Sequence, residues 1–371
     1  MDARTVTLFL AGDVMLGRGV DQILPHPGDP ALREDYLRDA RGYVALAEAA
    51  NGPIPRPVDH TWPWGEALAV LDRAAPAVRV INLETAVTQD GDFAPGKGVH
   101  YRMHPANLPC LTAARPDVCT LANNHVLDFG PLGLTETLDS LAAAGLRTAG
   151  AGRDATAAWR PATVPAPGGG RVLVFSFGLP TSGIPHSWAA TPERAGLALV
   201  DAPTAGAAAL FADRVRQTAR PGDLVVASVH WGPNWGYPAS RTEIRFAHAL
   251  LDAGADIVHG HSSHHPRPAE VHHGKLVLYG CGDLVNDYEG IGGHEHYRDD
   301  LRLLHLASVE TGTGRLAGLR MVPLRARRMR LEHATAEDAA WLCGVLDRYG
   351  RPLGTRTGQE PDGTLTLRPP D

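Results

Sequence analysis

The chain has only four cysteines, Cys110, Cys119, Cys281 and Cys343, and no two of them form a C-x-x-C pair. That scarcity and scatter exclude a disulfide framework and a thiolate zinc site, and they fit a reducing compartment. No apolar run reaches the roughly 18 residues of a membrane span, and Asp2, Arg4 and Asp13 interrupt the first twenty positions where a leader would be apolar. A soluble, cytoplasmic protein without an integral membrane segment is the expectation. Basic runs are also missing, and the net charge is −6. Nothing therefore neutralises a phosphate backbone, and nucleic acid is not expected as a partner. A G-x-S-x-G elbow is absent, and Ser262-Ser263 between histidines is no convincing nucleophile. Gly91–Lys97 has the spacing of a P-loop, but Gly98 stands where a hydroxyl would reach magnesium and Pro105 interrupts any following helix. The glycines at 150 and 152 resemble a dinucleotide fingerprint without its later acidic residue, so they read as a tight turn.

What is present is enough for a large core: 371 residues, 44% hydrophobic and 20% charged. Short apolar, β-branched runs alternate with helical segments, the pattern of an α/β sheet with helices on its faces. Strands are expected near residues 5–11, 78–83, 118–122, 171–177, 224–229, 256–258 and 275–279. Helices are expected near 65–73, 132–144, 205–220, 242–253 and 336–348. The Pro-rich stretches Pro25–Pro30 and Asn51–Pro63 read as loops, a lid or an inserted substrate loop. Residues 1–325 are read as the main domain. Residues 326–371 are read as a C-terminal appendage of one helix and a tail, Gly358–Asp371, expected to lack order.

The informative pattern is positional. Several strands end in residues able to bind a metal or move a proton: Gly12-Asp13, Asn82-Leu83-Glu84, Asn123-Asn124-His125, His230-Trp231-Gly232, His259 through His265, and Gly282-Asp283. In an open α/β sheet the carboxyl ends of the strands converge on one rim, where ligands bind. Each residue has a plainer role when taken singly, such as a turn, a helix cap or a packed histidine. The run from His259 to His265 resists that reading, because so many imidazoles and hydroxyls beside a buried strand need partners. Of the 18 histidines, eight lie between His230 and His273. His272 and His273 precede a turn expected at Gly274 and read as surface residues, as do His26 and His60 in the Pro-rich loops.

Six stretches together resemble the poly-γ-glutamate capsule biosynthesis family, CapA. They are Gly12–Arg18, Asn82–Glu84, Leu121–Gly130, His230–Gly232, Asp252–His261 and Tyr279–Asp283, in order over about residues 5–290. That family is similar to the calcineurin-like metallophosphoesterases, so the resemblance implies a metallophosphoesterase-like four-layered αββα sandwich around two divalent metal ions. It implies Asp13 on one metal, Glu84 as the bridging carboxylate, and Asn124 with His230 on the second metal. His261 and His264 would complete the sites, with His259 and His265 as alternatives for the last ligand. His125 would be the proton donor to the leaving group, and Arg18, Lys97, Tyr101 and Arg102 would orient an anionic substrate. Met15 stands where the phosphoesterase pattern has a histidine, so one metal is expected to be weakly held.

The donors are imidazole and carboxylate without thiolate, which favours Mn, Fe or Zn. The expected activity is hydrolysis of a phosphoester or γ-glutamyl amide in capsule-type metabolism, with metal-bound hydroxide as nucleophile. The substrate would be small or polymeric and anionic, and a polyglutamate synthase is a possible partner. The alternative is a non-catalytic accessory subunit that binds an acidic polymer or a synthase.

Overall fold

The structure is a computed structural model that describes residues 5–368. Strands and helices are numbered in chain order. One sheet contains β1 (Thr5–Val14), β2 (Val78–Leu83), β5 (Val118–Thr120), β6 (Arg147–Ala149), β16 (Leu301–Glu310), β17 (Leu316–Ala326), β19 (Arg356–Gln359) and β20 (Leu365–Arg368), ordered β19-β20-β17-β16-β1-β2-β5-β6. Two further strands join it, β15 (Asp283–Val285) on β1 and β18 (Leu331–His333) on β17. The other sheet contains β8 (Ala162–Pro165), β9 (Arg171–Gly178), β11 (Leu224–His230), β12 (Ile257–His261), β13 (Ala269–His272) and β14 (Lys275–Leu278), ordered β13-β14-β12-β11-β9-β8. Two short ribbons pair β3 (Ala86–Val87) with β4 (Arg102–Met103) and β7 (Ala151–Gly152) with β10 (Gly196–Leu197).

The side chains sort into three apolar layers by the period of two along each strand. Leu8, Leu10, Val78 and Val80 of the first sheet meet Val172, Val174, Leu224 and Val226 of the second in a core between the sheets. The alternate residues Phe9, Ala11, Ile81 and Cys119 pack outward. They meet α1 (Arg41–Asn51), α2 (Ala67–Ala74), α3 (Leu108–Ala113) and α4 (Gly130–Ala143). On the far side, Leu173, Phe175, Val225 and Ala227 pack on α6 (Ala205–Thr218) and α7 (Arg241–Asp252). Helix, sheet, sheet, helix is the four-layered αββα sandwich expected from the sequence. The strands are apolar on both faces because both faces are covered.

Capping chemistry sets the helix starts. Ser240 and Glu243 form a reciprocal capping box at α7, and Thr335 and Asp338 do so at α8 (Ala336–Gly350). The short α5 (Ala155–Ala158) is capped by Asp154.

Three expectations are corrected. The 301–326 region forms the longest hairpin of the fold, β16 with β17, where no strand was expected. The Gly358–Asp371 tail is ordered through residue 368: β19 pairs with β20, and β20 pairs with β17. Residues 369–371 lie outside the described residues. The Asn51–Pro63 segment is not an open lid, because Ile54 and Val58 are buried in the outer core layer. Among the described residues no helix is long and apolar enough to cross a membrane.

Candidate metal centre

Strand register brings the polar strand ends together. Asp13 pairs in register with Asn82 on one side and Asp283 on the other. In the second sheet His230 pairs with His261. The approach of β1 to the strand carrying Asp283 depends on Gly12, where a Cβ would lie 1.8 Å from the Gly282 carbonyl oxygen. The Asp13 amide donates to that same oxygen at 3.1 Å. Gly282 itself has φ +76, a conformation that favours glycine.

Asp13, Glu84, His230, His261 and Asp283 are each at most 1% exposed. The Asn82 amide nitrogen donates to Asp13 Oδ1 at 2.7 Å and to Glu84 Oε2 at 2.9 Å, holding the two carboxylates at a set separation. Asn123 in turn donates to Asn82 Oδ1 at 3.0 Å and to the Leu83 carbonyl at 2.8 Å. His230 Nδ1 lies 2.8 Å from His261 Nδ1 and 3.9 Å from Glu84 Oε2, and its Nε2 lies 2.9 Å from Asn124 Oδ1. Ligand atoms of Asp13, His230 and His261 lie within 4.8 Å of one another, and so do those of Asp13, His264 and Asp283. Asp13 belongs to both groups.

This crowding and burial shift the ionisation of the whole cluster. Burial, followed by the Asp283 charge, lifts Asp13 to about 7. Burial and the Asp13 charge raise Glu84 well above its ordinary value. Burial pushes His230 and His261 far down, so both are neutral with lone pairs to offer. Burial pulls His264 down, but the charge and hydrogen bond of Asp283 together with the Asp13 charge leave it raised. Carboxylates that repel one another beside neutral imidazoles form a donor set suited to divalent Mn, Fe or Zn.

Of the three candidates for the last ligand, only His264 falls in a group with Asp13 and Asp283 among the described residues. His264 Nδ1 is 3.0 Å from Asp283 Oδ1. His259 donates from Nε2 to the Ala11 carbonyl of the other sheet at 2.8 Å and has Nδ1 3.1 Å from the Ser228 hydroxyl on the neighbouring strand, so both nitrogens are engaged. His265 Nε2 accepts from the Gly236 amide at 3.0 Å, and its Nδ1 lies 3.1 Å from the Pro266 carbonyl.

His125 Nδ1 is 2.6 Å from Asp128 Oδ2, and its Nε2 faces Glu84 Oε1 at 3.9 Å. Burial holds this imidazole at about 4. Lys97 Nζ bonds to Asp128 Oδ1 and the Asn124 carbonyl, and sits 3.0 Å from His125 Nδ1. Tyr101 stands edge-on to the His125 ring, 4.6 Å between centroids, and its amide donates to Asp128 Oδ2 at 2.7 Å.

Asp13, Glu84, Asn124, His125, His230, His261, His264 and Lys97 are thus brought together, with Tyr101 as a wall. Arg18 and Arg102 are not. The Arg18 guanidinium is buried, bidentate on Asp287 at 2.8 and 2.6 Å and bonded to Glu34 at 2.9 Å, so its charge is already matched. It lies 4.5 Å over the Tyr101 ring and 3.6 Å over the Tyr43 ring. Arg102 is 3.6 Å from Asp29 and stacks 4.2 Å over Phe129.

The strand-end pattern included Asp283, but the ligand set implied by the family resemblance gave it no role. The Asp13, His264 and Asp283 group does not depend on position 15, where Met15 is buried in the core. The roles of Asn82 and Asp128 were also missed. Both lie within the stretches already noted, but Asn82 meets Asp13 through strand pairing, and Asp128 meets Lys97 and the Tyr101 amide through loops.

A family model described as "Bacterial capsule synthesis protein PGA_cap" matches residues 7–288. A Mycobacterium tuberculosis protein named "Probable polyglutamine synthesis accessory protein" is 55% identical over 370 residues, covering 98% of this chain and 96% of its own length. "PGA biosynthesis protein CapA" of Bacillus subtilis is 27% identical over 305 residues, covering 82% of this chain and 68% of its own length. Among solved structures, a 5'-nucleotidase precursor from Thermus thermophilus is 16% identical with a TM-score of 0.48, over 94% of this chain and 59% of that one.

Proposed function

The chain belongs to the bacterial capsule synthesis protein family PGA_cap, and from that membership we propose that it is a divalent-metal-dependent hydrolase serving polyglutamate or capsule-type polymer metabolism. The bond cleaved is a phosphoester or a γ-glutamyl amide. The observation that carries the reading is the single buried cluster in which Asp13 belongs to two ligand groups at once. Asp13, His230 and His261, with Glu84 and Asn124, would hold one ion, and Asp13, His264 and Asp283 the other. Such ions supply Lewis acidity and make a bound water more acidic.

The chain's own groups do the rest. Asn82 fixes the spacing of the Asp13 and Glu84 carboxylates. Asp128 accepts from the Nδ1 side of His125 and leaves Nε2 turned toward the centre, where it handles the proton of the leaving group. At about 4 the free imidazole is neutral at pH 7, and an anionic substrate facing it favours its protonated form. Lys97 anchors Asp128 and lends positive charge to the same side.

The test measures bound metal by elemental analysis together with hydrolysis of a generic phosphodiester and a γ-glutamyl peptide. Asp13→Asn is expected to lose metal and activity together. His125→Ala is expected to keep metal and lose roughly 10²–10⁴-fold in rate. Normal turnover in both variants sinks the assignment. The burial of the cluster supports a second reading, an accessory subunit that uses the centre to shape a binding surface. Less than one metal per chain and no cleavage of either substrate would favour it.

A further inference from the structure

A second concentration of ligand side chains lies away from this centre, between α7 and the β13–β14 hairpin. His248 and Asp252 are one helical turn apart on α7, and Glu270 and His272 share a face of β13. Ligand atoms of His248, Glu270 and His272 lie within 4.8 Å of one another, and a second such group, Asp252, His272 and His273, shares His272. His248 Nε2 is 2.8 Å from Glu270 Oε1. The other Glu270 oxygen accepts from the Tyr279 hydroxyl at 2.5 Å, which fixes the carboxylate as supporting groups fix metal ligands.

The imidazoles of His248 and His272 stack with centroids 3.6 Å apart, and those of His272 and His273 with centroids 3.9 Å apart. An ion pair of His248 with Glu270 explains two of these residues and leaves His272 and His273 crowded for no gain.

His272 pairs with Lys275 at the start of β14, whereas Asp283 follows the far end of that strand. The cluster therefore lies on the edge hairpin, with His272 at the end of β14 away from the candidate centre.

We propose that His248, Glu270 and His272 form a separate divalent-metal site, with Asp252 and His273 as further donors. Imidazole and carboxylate without thiolate suit a zinc-class ion. A bound ion would clasp the edge hairpin of the second sheet to α7.

The full-length chain, stripped with a chelator, is titrated with Zn²⁺ by calorimetry as wild type, as His248→Ala/His272→Ala and as Asp13→Asn. The double variant is expected to bind one ion fewer per chain than wild type, while Asp13→Asn keeps that ion. Equal stoichiometry and affinity in wild type and the double variant overturn the proposal. If circular dichroism shows the double variant misfolded, the half-buried His248→Gln decides. Loss of roughly 10-fold or more in affinity for that ion supports the site, and unchanged affinity overturns it.

Discussion

Asp128 and Asp283 show how much of the centre rests on residues whose partners are distant in sequence. Burial alone would raise Asp128, but the charges of His125 and Lys97 hold it below the usual carboxylate range. It therefore stays ionised and keeps the His125 ring in place. Asp128→Asn is expected to retain metal and to lose about 10²–10⁴-fold in turnover, read by comparing metal content with kcat. Loss of metal along with rate would mean that Asp128 holds the ligands and not the proton-transfer group. Asp283→Asn should instead lower the bound metal by one ion per chain, measured by elemental analysis. Most of the centre was legible as polar residues at the ends of apolar strands. The arginines misled, because charge in the sequence does not reveal whether a carboxylate elsewhere already matches it, as Asp287 and Glu34 match Arg18. Asp283 was legible as a strand-end residue, but its place beside Asp13 and His264 came only from strand pairing.

Two close contacts between elements carry predictions of opposite character. At Gly12 an added Cβ would meet the Gly282 carbonyl oxygen at 1.8 Å, so Gly12→Ala must push β1 from the strand bearing Asp283. Overpacking of this kind costs about 1–3 kcal/mol, and here it should also reduce bound metal. Urea unfolding and elemental analysis on one sample check both effects, and full metal content would contradict the coupling. Leu342 of α8 is buried among strand residues of the core between the sheets. Leu342→Ala should cost about 2–5 kcal/mol in urea unfolding and leave metal content unchanged. The expected strands and helices that this fold shares with the sequence reading are those with long apolar runs or clear helical periodicity. The β16–β17 hairpin escaped because buried Arg302 and His305 interrupt the apolar pattern of β16. The tail escaped because its order comes from pairing with β17, a long-range contact that its own composition does not announce.

At the scale of the whole molecule, the histidines divide into a buried set and a surface set. His125, His259 and His265 stand at about 4 and His305 at about 3, each pushed down by burial, and His230 and His261 are also well below their ordinary value. Their unfolded value is about 6.5, so the stability they contribute is present above that pH and is lost as pH falls toward about 4. Asp13 and Glu84, both raised, oppose this loss in the same window but are fewer. The urea midpoint should therefore fall steadily between pH 7 and pH 4.5, by about 1.4 kcal/mol per pH unit for each net proton. A midpoint unchanged to pH 5 would show that these imidazoles are not held neutral. The four-layered sandwich was legible from the alternation of strands and helices, and it is what sets these rings between two sheets. On this reading the interior holds two catalytic ions that share the Asp13 carboxylate, with Glu84 beside one of them. Its most direct test is hydrolysis of a phosphodiester and a γ-glutamyl peptide by wild type and Glu84→Gln, with bound metal counted on the same samples. Wild type is expected to hold about two ions per chain at this centre, beyond the one proposed at the His248 cluster, and to cleave one substrate measurably, with those two ions and the cleavage sharply reduced in Glu84→Gln. Equal metal content and equal cleavage in the two proteins would contradict it.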